Sequence, residues 1–91
     1  MSVVGFIVHE GRGAAVDAAA ALAAALRDDD VEVVRAREAD ETARPELIVT
    51  VGGDGTFLRG AHVAAELDCP VLGVKVGRLG FFKTLKIAGR R

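Results

Sequence analysis

The sequence predicts an α/β fold: an open, mostly parallel, doubly wound sheet of about four strands with flanking helices. Short apolar runs alternate with helical segments along the chain, which is typical of this class. The runs are apolar on both faces, as strands buried in a parallel sheet are. The 91 residues suffice for one core. We therefore expect residues 1–91 to form a single domain.

The first half of the chain predicts a strand, a helix and a second strand. Val3–Val8 is a β-branched and aromatic run, and residues 14–28 are mostly alanine and leucine, which favour a helix. Residues 31–34 supply valines for the next strand, after an acidic turn. Residues 35–44 mix charges and alanines without a clear period, so a loop or a short helix is expected there.

The second half repeats the alternation. Residues 47–51 predict a fully apolar strand, and residues 56–67 have the apolar spacing of a helix. Pro70 then introduces the strand Val71–Val76. The order of these elements predicts a Rossmann-like arrangement, in which ligands bind beyond the carboxyl ends of the strands.

Composition and charge narrow the possible partners. The net charge of −1 gives no overall basic field to attract nucleic acid, and the longest nearly apolar run, residues 14–26, is too short and too rich in alanine to span a bilayer. The single cysteine, Cys69, is expected to be a small buried thiol. His9 and His62 lack metal-ligand spacing, so no zinc site is expected. Without a signal peptide pattern, the protein is expected in the cytoplasm.

The main candidate for chemistry is the segment 49–56, a strand that runs into a loop with three glycines and then into a helix. Gly52, Gly53 and Gly55 let backbone amides approach phosphate oxygens with no Cβ in the way. The first amides of the helix, which begins near Thr56, favour an anion. The segment therefore predicts a phosphate-binding loop.

Asp54 lies inside this loop, although a carboxylate repels phosphate. It fits if it helps to hold a Mg²⁺ ion or accepts the proton of a hydroxyl that attacks phosphorus, and both roles belong to phosphoryl transfer. The alternative is that it only supports a tight turn. Arg59 neutralises phosphate in one interpretation and is solvated or ion-paired in the other. The Gly11–Gly13 segment is predicted to be a plain turn between strand and helix.

Two segments resemble the NAD kinase family. Residues 52–59, Gly-Gly-Asp-Gly-Thr-Phe-Leu-Arg, are similar to its GGDGT-Leu-Leu-Arg signature, and residues 70–82 are similar to its proline, apolar strand and Gly-x-Leu-Gly-Phe loop. Lys75 stands where the family commonly has asparagine or histidine. Diacylglycerol and sphingosine kinases share GGDGT closely and phosphofructokinases loosely, so a lipid or sugar kinase is an alternative. The second segment favours the NAD kinase family.

The resemblance implies transfer of a phosphoryl group from ATP, or from polyphosphate in some members, to the 2′-hydroxyl of the adenosine ribose of NAD, with Mg²⁺. It implies that Asp54 is the base or metal-assisting residue and that Gly53 and Gly55 lie against the phosphates. It also implies that Leu79, Gly80 and Phe81 line the dinucleotide site, and that the protein self-associates.

The resemblance covers nearly all of this chain but only the first part of a full kinase. Family members are longer and carry a β-rich C-terminal domain, so residues 1–91 are expected to be the N-terminal portion of a truncated kinase. A non-catalytic nucleotide-binding fragment is the alternative.

Overall fold

The computed structural model describes residues 2–35, 44–76 and 82–88. These residues form one five-stranded sheet in the order β2-β1-β3-β4-β5, with two helices. The elements are β1 Val3–Val8, α1 Gly13–Asp28, β2 Glu32–Arg35, β3 Leu47–Gly52, α2 Asp54–Leu67, β4 Val71–Val76 and β5 Phe82–Ala88. In this described part of the chain, neither helix has the length and apolar character needed to cross a membrane.

The predicted mostly parallel sheet is confirmed, since β1 to β4 all pair in parallel. One strand was not predicted: β5 runs antiparallel to β4 and closes that side of the described sheet. Its segment contains two lysines. Charged residues are common in strands at the edge of a sheet, where they discourage pairing with another chain, and they hide the apolar pattern.

The two helices pack on opposite faces of the sheet, which confirms the doubly wound prediction. Side chains alternate between the faces of a strand. Phe6 and Val51 therefore cluster with α1 on one face, whereas Ile7 and Ile48 cluster with α2 on the other. The first face receives a stripe of small side chains from α1, the alanines Ala15, Ala19 and Ala23. Small side chains let the helix lie close to the strands.

Helix α2 approaches the sheet even more closely, at two glycines. A Cβ built on Gly60 would lie 2.1 Å from Cγ2 of Thr50 in β3. A Cβ built on Gly73 in β4 would lie 2.4 Å from Cδ1 of Phe57. The backbone of α2 therefore rests on β3, and the ring of Phe57 lies over β4. These two contacts fix where the first turn of α2 stands.

The strand order reverses between β1 and β3. From β1 the chain moves to β2 on one side, and it returns to β3 on the other. The two central strands are in register at Val8 and Val51, and the amide of His9 extends their ladder by donating to the Val51 carbonyl at 3.0 Å. In open α/β sheets, ligands bind in the crevice at such a reversal, beyond the carboxyl ends of the strands. The loops after β1 and β3 meet at this edge.

We predict that Gly60→Ala destabilises the fold, although alanine favours helix. The new methyl group would overlap the Thr50 methyl group, and overpacking of this kind costs about 1–3 kcal/mol. We use "the complete protein" for the natural polypeptide that contains this chain. The measurement is the denaturation midpoint of the complete protein.

Gly55→Ala, in the same helix, is the matched control, because no described atom lies within 4 Å of its added Cβ. It should gain up to about 1 kcal/mol from helix propensity. Thr50→Ser removes the overlapping methyl group and should restore most of the loss in the double variant. Equal midpoints for the Gly60 and Gly55 variants would contradict the close approach.

Candidate phosphate-binding site

A single residue separates the central strand β3 from helix α2. Gly52 is the last residue of β3, Gly53 is the N-cap, and Asp54 is the first residue of the helix. The helix therefore begins two residues earlier than predicted, and its first intrahelical bond runs from the Phe57 amide to the Gly53 carbonyl at 3.0 Å. Asp54 lies in the first turn, where a carboxylate complements the helix dipole.

Gly52 is required by the packing of the loop itself. Its φ of 157° is rare for residues with a side chain, and a Cβ there would lie 2.8 Å from the Thr56 hydroxyl oxygen and 2.9 Å from Cβ of His9. Thr56 is 9% exposed. The end of β3 at Gly52 thus packs closely against Thr56 in the first turn of α2. The contacts of both residues with a ligand stay predictions.

Gly53 and Gly55 differ from Gly52, because no described atom lies within 4 Å of a Cβ at either position. The φ of Gly53 is −111°, a value that any residue adopts. Gly55 lies inside a helix, where glycine is unfavourable. Neither backbone conformation nor packing among the described residues calls for glycine here. As far as the described residues show, the space beside the first turn is open.

Asp54 meets a cation from the neighbouring strand. The ammonium nitrogen of Lys75 in β4 lies 3.1 Å from the Asp54 Oδ1, and the two side chains are 39% and 66% exposed. Lys75 is paired in register with Gly52, which brings it to the end of β3. Both residues line a shallow depression between α2 and β4, together with Phe57. Sequence interpretation missed this pair, although a lysine in an otherwise apolar strand was a visible signal.

Arg59 lies on the other side of α2, not beside Asp54. It lines a cleft of about 300 Å³ above the end of β1, together with His9, Glu10 and Arg35. The Arg35 guanidinium is ion-paired with Glu10. The structure therefore brings Asp54 together with the glycines of the loop, whereas Arg59 and Asp54 line two different depressions. His9 is exposed.

Three predicted site residues, Leu79, Gly80 and Phe81, lie outside the described residues, so their role stays a prediction. Cys69 is buried, which confirms the expected small buried thiol. Among residues 2–35, 44–76 and 82–88, no group of three or more histidine, cysteine or acidic side chains is arranged to hold a metal ion.

Comparison with known proteins matches residues 30–88 to the model of the ATP-NAD kinase N-terminal domain. NAD kinase 1 of Streptomyces coelicolor is 47% identical over an alignment of 90 positions that covers 86% of this chain and 25% of that protein. NAD kinase 1 of Streptomyces avermitilis is 45% identical over an alignment of 97 positions that covers 93% of this chain and 27% of that protein. The NAD kinase of Dehalococcoides mccartyi is 40% identical over 88 residues, with coverage of 90% and 31%. The chain spans about a quarter of the length of the first two relatives.

We predict that alanine is tolerated at Gly53 and not at Gly52. Gly52→Ala should destabilise the complete protein by about 1–3 kcal/mol, because its Cβ collides with Thr56 and His9. Gly53→Ala should cost less, about 0.5 kcal/mol, because alanine is less favourable than glycine at an N-cap but meets no described atom there. Chemical denaturation of both variants is the measurement. If Gly53→Ala lost as much stability as Gly52→Ala, the result would contradict the open surroundings of Gly53.

Proposed function

Because this chain belongs to the NAD kinase family, we propose that the complete protein phosphorylates NAD at the 2′-hydroxyl of its adenosine ribose, with ATP or polyphosphate as donor, to give NADP. The observation that carries the proposal is the pair of open glycine positions, Gly53 and Gly55, on both sides of an exposed Asp54. The family match does not favour the lipid or sugar kinase alternative.

The first turn of α2 binds the phosphates of the donor in this proposal. Amides in the first turn of a helix have no partner within the helix, and the helix dipole favours negative charge there. Without a Cβ, Gly53 and Gly55 let phosphate oxygens approach the backbone. The close packing of α2 on β3 holds these amides in place before the nucleotide arrives, so little ordering is needed on binding.

Asp54 acts on the attacking hydroxyl or on the metal. As a base, its carboxylate takes the proton of the 2′-hydroxyl while the ribose oxygen bonds to the γ-phosphorus and the bond to the leaving ADP breaks. As a metal ligand, it shares a Mg²⁺ ion with the phosphates. One exposed carboxylate fits such an ion, because Mg²⁺ is usually held by one or two carboxylates, waters and substrate phosphates. When bound, Mg²⁺ neutralises charge on the phosphates.

The acceptor side rests on the family resemblance. Leu79, Gly80 and Phe81 line the dinucleotide site in this proposal, and the ring of Phe81 stacks on adenine. Arg59 supplies a positive charge to a phosphate group that enters the cleft above β1. Self-association of the complete protein and a cytoplasmic location belong to the same proposal.

We predict that Asp54→Asn lowers kcat for NADP formation by about 100-fold or more, the usual contribution of a positioned acid or base. Stability should change little, because the Asp54 side chain is 66% exposed. The assay supplies the complete protein with Mg²⁺, ATP and NAD, and it measures NADP⁺ with an NADP-specific dehydrogenase. Asp17→Asn, an exposed aspartate of α1, is the control. Full activity of the Asp54 variant would remove Asp54 from the chemistry.

We also predict that Gly55→Ala separates stability from binding. The variant should be as stable as the parent or more so, yet its affinity for ATP should fall by about tenfold, because the methyl group occupies space that the phosphates need. Calorimetric titration with ATP and a thermal melt give the two readouts.

Gly13→Ala is the matched control, since Gly13 begins α1 and also has no described atom within 4 Å of an added Cβ. It should leave ATP affinity unchanged. A Gly55→Ala variant that binds ATP like the parent would argue against phosphate binding at α2.

A further inference from the structure

We propose that Lys75 is a second phosphate-binding residue of this site, with an ammonium group that offsets the charge of Asp54 and contacts the phosphate chain of the nucleotide. The identity of the ligand rests on the proposed function. The geometry that carries the inference is the ion pair between β4 and the first turn of α2.

The position of Lys75 is unusual for a lysine. It lies in a strand whose other residues are apolar or glycine, and it belongs to the face of the sheet on which α2 packs, since Gly73, two residues earlier, contacts Phe57. Both members of the ion pair are more than a third exposed. Pairs with this exposure contribute little to folding stability. Folding alone therefore gives no strong reason for an ammonium group at this place.

The positive charge of Lys75 offsets the repulsion between the Asp54 carboxylate and a phosphate. A carboxylate beside the open glycines repels phosphate, and this repulsion acts whenever no divalent cation is bound. The Lys75 ammonium lies 3.1 Å from that carboxylate. An ammonium group carries three donors, and one bond to Asp54 leaves others for phosphate oxygens. A phosphate beside the first turn of α2 would then meet both the helix amides and the ammonium group.

Two measurable consequences follow for the complete protein. First, the site binds nucleotide phosphates without a divalent cation, because Lys75 supplies positive charge from within the chain. Second, Lys75 lowers the affinity of Asp54 for a free divalent ion, since the ammonium group and the ion compete for one carboxylate. A lysine with a purely structural role would not produce the first effect, whereas any lysine paired with Asp54 would produce the second.

The test is calorimetric titration of the complete protein with ATP in excess EDTA. We expect Lys75→Gln to weaken binding about fivefold, the effect of one charge at about 4 Å in a water-like dielectric. Lys75→Arg keeps the charge and should stay within about twofold of the parent. Arg27→Gln removes a positive charge from the last turn of α1 and should have no effect. Added salt should weaken the parent more than the Lys75→Gln variant.

The second readout is binding of Mn²⁺ alone, followed by electron paramagnetic resonance. Lys75→Gln should bind Mn²⁺ more tightly than the parent, and Asp54→Asn should abolish that gain in the double variant. The inference is overturned if the parent fails to bind ATP or tripolyphosphate in EDTA, or if Lys75→Gln binds ATP in EDTA as tightly as the parent. The outcomes are separable from NADP formation: an inactive protein with Lys75-dependent ATP binding would refute the proposed function and retain this inference.

Discussion

The candidate site depends on the close approach of helix α2 to the sheet. At Gly60 the helix backbone rests on Thr50, and the ring of Phe57 lies over Gly73 at a distance that no Cβ would permit. A helix held at two points on two strands cannot slide or rotate without overlap, because protein interiors are close-packed. The first turn of α2 belongs to the same helix and is held in place with it. The position of Asp54 beside β4 is therefore a result of core packing several residues away.

The described glycines of the second half form two groups, which differ in the physical reason for glycine. Gly52, Gly60 and Gly73 are needed by the fold, since an added Cβ would lie within 3 Å of another atom at each. Gly53 and Gly55 have open surroundings among the described residues and no φ that demands glycine. Sequence interpretation placed all the glycines of the loop against a ligand. Only the distances between elements distinguish a glycine that admits a neighbouring helix from one that leaves room for a ligand.

Local patterns predicted most of the fold. The strands β1 and β4 were predicted at their observed bounds, because continuous runs of apolar residues mark buried parallel strands. The start of α2 was predicted two residues late, because Asp54 and Gly55 are typical turn residues. In the structure Gly53 is the N-cap, and both residues belong to the helix. Strand β5 was missed because the lysines in its sequence interrupt the apolar pattern, although it pairs with the preceding strand β4. The ion pair between Lys75 and Asp54 could not be predicted either, because it depends on the register between β3 and β4.

Local charge must provide the attraction for phosphate, because the chain as a whole has a net charge of −1. The described cations near the site lie on both flanks of α2: Lys75 reaches Asp54 from β4, and Arg59 lines the cleft above β1. Arg35 already has Glu10 as a partner. A phosphate chain at the first turn of α2 would therefore lie between Lys75 and Arg59, with the helix amides in the middle. The two flanks differ in charge: the Lys75 flank also carries the Asp54 carboxylate, whereas Asp54 does not line the Arg59 cleft. In the proposed function, the flank with the carboxylate suits the transferred phosphoryl group and its acceptor hydroxyl, and the flank of Arg59 suits phosphates that do not react.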